Sequence, residues 1–157
     1  MFKKNKYIVI KQAISKDLAL FFYNYFMVKK QVYDTCLKHT FISPYETLLG
    51  YYEDKNDQMP NTYSSYSDIA METLMLKCQP VVEKTTGLKL YPAYTYARIY
   101  KKGDILKRHK DRFSCEISTT MNLGGDHWPI YLEPSGKKGL KGIKVDLKPG
   151  DMLVYSG

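Results

Sequence analysis

An α+β fold is what the sequence predicts, on three observations. Two stretches with helical apolar spacing lie before Gly87, short alternating runs broken by glycine and proline follow it, and no segment repeats. Helices followed by a series of strands place helices against a β-sandwich or jelly roll. At 157 residues the chain is long enough for one real core and too short for two ordinary ones, so a single domain over 1–157 is expected. Within it, residues 1–87 supply a strand and helical support and 88–157 the sheet strands.

The elements follow in order. Tyr7 to Lys11 is a β-branched run that reads as a strand. Ser15 offers an N-cap oxygen to a helix whose Leu18, Phe21, Phe22, Tyr25 and Phe26 recur at helical spacing, a stripe that belongs in a core. From about His39 to Tyr66 the period fails among polar clusters and two prolines, so a long connection of the kind that often forms a lid is expected. Ser65 with Asp68 resembles a capping box ahead of Ala70, Leu74, Cys78, Val81 and Val82. A second helix should therefore run to about Thr85, perturbed at Pro80 and ended by Gly87. Residues 88–102 alternate, with Tyr94, Tyr96, Arg98 and Tyr100 on one face and Ala93, Thr95, Ala97 and Ile99 on the other. Further short strands are expected at 115–123, 127–134, 143–147 and 151–157, separated by turns at Gly103, Gly124-Gly125, Gly136 to Gly142 and Pro149-Gly150.

Composition narrows the class. Hydrophobic residues at 44% and charged residues at 25% exclude a disordered, collagen-like or low-complexity chain. Three scattered cysteines with no CxxC pair exclude a disulfide framework and fit a reducing, cytoplasmic home. No apolar run approaches the length of a membrane span or a signal peptide, so a soluble protein is expected. The excess of 24 basic over 16 acidic residues, a net charge of +8, attracts anions.

The informative stretch runs from Tyr100 through Gly103 and Leu106 to His109 and Asp111. On a strand or at its end, residues two apart project to the same face, so an imidazole nitrogen and a carboxylate oxygen there can share one cation. Such a pair supplies two of the three ligands of a two-His-one-carboxylate facial triad, which holds Fe(II) on one face and leaves the other open. The bland alternative is a pair of surface polar residues.

The whole pattern, Tyr-x-x-Gly-x-x-Leu-x-x-His-x-Asp followed by the Gly-Gly turn, the 128–132 strand and the closing 148–157 segment, resembles the 2-oxoglutarate- and Fe(II)-dependent oxygenases of the prolyl 4-hydroxylase-like kind. The resemblance covers roughly Leu88 to Gly157. It implies a double-stranded β-helix, the cupin-like jelly roll, with the N-terminal helices packed on it. It implies His109 and Asp111 as iron ligands, Tyr100 facing 2-oxoglutarate, and Arg98 lining the same pocket, unless Arg98 forms an ordinary cross-strand ion pair. The implied cofactors are Fe(II), 2-oxoglutarate and O2, with ascorbate as an optional addition. The implied reaction is oxidative decarboxylation of 2-oxoglutarate to succinate and CO2, coupled to C–H hydroxylation of a substrate. A peptide, a free amino acid, a nucleobase and a small metabolite all stay open. Lys107, Arg108, Lys110 and Arg112 would draw in an anionic co-substrate, or are simply solvated.

The family pattern also asks for a third ligand, a histidine after the Pro-Gly turn, and then a basic residue for the distal carboxylate of 2-oxoglutarate. Neither follows before Gly157, so the expectation is a sequence truncated within its last strands, a fragment of doubtful activity. His127 and His39 are not expected to reach the site. Two other classes stay open: a noncatalytic cupin-like structural domain, and a basic nucleic-acid-binding module with tyrosine stacking platforms, for which no binding motif is present.

Overall fold

The computed structural model describes residues 2–43 and 45–157. Three helices and eight strands follow in the order α1 (Phe2–Asn5), β1 (Tyr7–Ile10), α2 (Lys16–Lys38), β2 (Tyr51–Tyr52), β3 (Tyr63–Tyr66), α3 (Ile69–Thr86), β4 (Tyr96–Arg98), β5 (Ile117–Met121), β6 (Ile130–Leu132), β7 (Ile143–Val145) and β8 (Met152–Ser156). The architecture is α+β, with every strand pairing antiparallel. Three small separate sheets, ordered β1-β8-β5, β2-β3-β4 and β6-β7, stand where one rolled sheet is implied, and the described residues form no closed barrel. None of their helices is long and apolar enough to cross a membrane. The chain divides into two compact units, one of residues 1–23, 78–91 and 110–157 and one of residues 24–77 and 92–109.

Helix α2 starts where the N-cap oxygen is, with the Leu18 N–H donating to Ser15 Oγ at 3.2 Å. Its buried positions Ala19, Phe22, Phe26 and Tyr33 follow the three-to-four-residue period, while Phe21 is 66% exposed and lies off that stripe. Helix α3 buries Met71, Leu74, Cys78 and Val82 on one side. It ends before Gly87, whose φ of 72° turns the chain out of the helix without a Cβ penalty. Its start differs from the predicted one: Asp68, not Ser65, caps it, through the Met71 N–H to Asp68 Oδ1 at 3.0 Å. Ser65 sits in β3, where Ala97 of β4 opposes it.

In the first unit, β8 is the central strand. Its residues from Met152 to Tyr155 face those from Ile10 to Tyr7 on β1, and the whole strand pairs with β5. Met152, Leu153 and Val154 are 0–1% exposed, each buried aliphatic side chain contributing roughly 1.5–3 kcal/mol. Leu153 joins Val145 and Leu147 in a cluster against which Tyr7, Val9, Ile130, Leu132 and Tyr155 pack, so the β6-β7 ribbon and the larger sheet share a core. The turn from Lys148 to Asp151 feeds β8 and ties the unit together. Buried Asp151 accepts from Lys11 Nζ at 2.7 Å and from the N–H groups of Gln12 at 3.0 Å and Lys148 at 3.1 Å.

In the second unit, the predicted connection 39–66 (Pro44 lies outside the described residues) carries β2 and β3. Pattern reading misses them because β3 is Tyr-Ser-Ser-Tyr, with three buried residues in a row and no apolar alternation. The hydroxyls of its three buried residues, Tyr63, Ser64 and Ser65, are paired with the Leu49 carbonyl, Glu53 and Lys29. Tyr63, 1% exposed, meets the rings of Phe26, Tyr33 and Tyr52 at 5.2, 5.7 and 5.9 Å. The predicted strand 88–102 condenses to β4. Hydrogen bonds from Ser67 N–H to Thr95 and from Ile99 N–H to Tyr63 extend its pairing by about one residue at each end, and among the described residues no sheet partner lies beyond.

Candidate functional site

No helix or strand forms between Arg98 and Ile117, so His109 and Asp111 lie on an irregular segment and not on a strand. The same-face argument for two residues on a strand therefore does not apply to them. His109 is the last residue of the second unit's 92–109 stretch, and Asp111 belongs to the first unit.

Exposed His109 places Nδ1 2.8 Å from the Lys107 carbonyl oxygen. A carbonyl only accepts, so Nδ1–H is the donor in this contact. Asp111, half-buried, accepts a hydrogen bond at Oδ2 from the Tyr155 hydroxyl at 2.9 Å. Burial, reinforced by the Asp111 carboxylate, pushes the Tyr155 phenol well above its ordinary pKa, so it stays protonated and donates. An imidazole that gives its other N–H to a carbonyl and a carboxylate held by a hydroxyl are the outer partners that metal ligands ordinarily carry. An imidazole and a carboxylate are of the donor types that a facial triad uses for ferrous ion. Among the described residues no group of three or more His, Cys, Asp or Glu stands together as a metal site. His127 Nε2 pairs with Asp146 Oδ1 at 2.7 Å, and the His39 ring stacks on Phe41 at 5.5 Å.

Tyr100 and Arg98 belong to the second unit, where the expected common face survives. The Arg98 guanidinium lies 4.8 Å from the Tyr96 ring centre and 5.8 Å from that of Tyr100. Its charge is also met by Glu53: Nε and Nη2 reach Glu53 Oε1 at 2.8 and 2.7 Å, with both side chains under 10% exposed. Arg98 thus sits in an ion pair, the alternative role expected for it, though its partner Glu53 lies just past β2 and not on a strand. Burial disfavours the cation, but Tyr96, Tyr100 and Glu53 outweigh it and raise the Arg98 pKa. Glu53 further accepts from Ser64 Oγ at 2.6 Å, the Tyr96 hydroxyl at 2.8 Å and the Met59 N–H at 3.2 Å. Tyr100 is thus presented beside a fixed cation.

A second buried pair, Lys29 with Asp68, anchors the start of α3. Burial opposes the Asp68 charge, and Lys29, Tyr25 and the Met71 N–H overcome it, holding the carboxyl below the usual carboxylate range. Tyr25, which donates to Asp68 at 2.7 Å, is pushed up to about 12 by burial and by that carboxylate.

Sequence reasoning missed Glu53 and Tyr155. Glu53 lies in a segment without period, and its partners come from β3 and β4. Tyr155 was one more residue of a strand, although its place in the strand entered by the Pro-Gly turn is the signal that could have singled it out. In comparisons with protein-family models, curated proteins and solved structures, nothing matches this chain.

Proposed function

We propose that this chain carries the site of a 2-oxoglutarate- and Fe(II)-dependent oxygenase with a double-stranded β-helix as its fold, His109 and Asp111 serving as metal ligands. The observation that carries the reading is the His-x-Asp pair whose two members each have a ligand's outer partner, the Lys107 carbonyl and the Tyr155 hydroxyl. The Tyr100-x-x-Gly103-x-x-Leu106 lead-in and the antiparallel β1-β8-β5 sheet entered through Pro149-Gly150 support it.

Bound Fe(II) and 2-oxoglutarate would supply O2 activation, with one oxygen atom going to succinate and the other to a substrate C–H bond. The chain's own residues bind and orient. His109 offers a nitrogen ligand and Asp111 an oxygen ligand. Tyr100, held beside the Arg98 cation, faces the co-substrate. Arg98 acts there through the ring it orders, since its guanidinium is engaged by Glu53. Lys107, Arg108, Lys110 and Arg112 give this part of the chain a positive potential suited to a dianion.

The test is anaerobic titration of the metal-stripped protein with Fe(II), with and without 2-oxoglutarate. The expected result is Fe(II) binding that 2-oxoglutarate tightens, accompanied by a charge-transfer absorption, both lost in His109→Ala and Asp111→Ala. Binding that is identical in the wild type and both variants sinks the proposal.

A further inference from the structure

Asp111 lies in a segment with no ladder of its own, whereas Tyr155, which donates to its carboxylate, stands on the middle strand of a sheet in the first unit. Tyr155 stands on the central strand β8, directly between Tyr7 of β1 and Ser118 of β5. Its ring packs against the Val145, Leu147 and Leu153 cluster, and the hydroxyls of Thr120 and Ser118 are close enough to affect the phenol. The hydrogen bond from this phenol to Asp111 Oδ2 links residues 44 apart in sequence and ties an irregular segment to a sheet. A hydroxyl that donates to one carboxylate oxygen restrains how that carboxylate is turned.

From this we propose that Tyr155 is a positioning residue for metal binding: its hydroxyl orients the Asp111 carboxylate and thereby sets the affinity for a divalent cation. The inference rests on the proposed role of Asp111 and goes beyond it by naming what aims the ligand. Outer partners of metal ligands typically contribute 10–100-fold in metal affinity, which is the size of effect expected from losing one O–H.

The experiment measures Fe(II) affinity anaerobically, and Mn(II) affinity by electron paramagnetic resonance, in the wild type, Tyr155→Phe, Tyr7→Phe and Asp111→Ala, with a thermal melt of each. Neither titration depends on turnover. Tyr155→Phe keeps the packed ring and removes only the hydroxyl, while Tyr7→Phe makes the same change at its neighbour across the ladder. The expected result is a loss of roughly 10–100-fold in affinity for Tyr155→Phe, no change for Tyr7→Phe, and little change in melting for either. If the wild type binds and Asp111→Ala does not, but Tyr155→Phe binds like the wild type, the positioning role is wrong and the site reading stands. Affinity that falls alongside melting temperature in both phenylalanine variants also overturns it, as a packing effect. No binding by the wild type overturns the site reading and this inference together.

Discussion

A glutamate with nothing periodic around it gathers four partners in a buried polar centre of the second unit. Glu53 is 4% exposed and meets Arg98, Ser64, Tyr96 and the Met59 N–H. A buried ion pair adds little over a well-packed apolar replacement, yet removing one partner strands the other charge away from water. Glu53→Ala is therefore expected to cost about 3–5 kcal/mol in urea unfolding, with Glu53→Gln losing less because it still accepts hydrogen bonds. The half of this cluster on β4 was legible: alternation puts Tyr96, Arg98 and Tyr100 on one face, and the guanidinium does lie against both rings. The other half was not, because Glu53 and Arg98 are 45 residues apart and nothing local marks them as partners.

Elements were read best where the local code is strong. Ser15, the α2 stripe and Gly87 set helix ends and faces through caps and spacing alone. The turn into β8 is equally explicit. Gly150 has φ of 90°, and a Cβ placed there would lie 2.5 Å from the Ile14 carbonyl oxygen, a backbone atom that cannot swing aside. Gly150→Ala is expected to destabilise by more than about 1 kcal/mol, seen as a lower melting temperature by calorimetry. Elements were misread where pairing overrides pattern. Ser65 and Asp68 look like a capping box from sequence, but Ser65 is taken by β3 and Asp68 caps α3 itself. The strand 88–102 is shorter than its alternation because a strand lasts only as long as a neighbour pairs with it.

At the scale of the whole molecule, each unit carries a buried carboxyl with the same direction of pH response. Asp68 in the second unit and Asp151 in the first are both buried, which opposes their ionisation, and both are held below the ordinary carboxylate range by lysine and backbone N–H donors. A carboxyl whose native pKa lies below its unfolded value leaves the native state with fewer bound protons. Its stabilisation is complete above the unfolded value near ~4 and fades as pH falls through the native one. Urea unfolding from about pH 6 down to about pH 2 should show a steady loss, and Asp68→Asn should be less stable at neutral pH with a shallower fall. A stability that stays flat through that range would contradict the assignment. By itself the sequence determined the α+β class, most helix and strand segments, the Pro-Gly turn and the candidacy of Tyr100, His109 and Asp111, since periodicity, caps and glycine conformations act over a few residues. Only the tertiary structure decided that Glu53 meets Arg98, that Lys29 meets Asp68 and that Tyr155 holds Asp111. Those partners are chosen by desolvation, which forces buried polar groups together wherever the folded backbone delivers them, however far apart they lie along the chain.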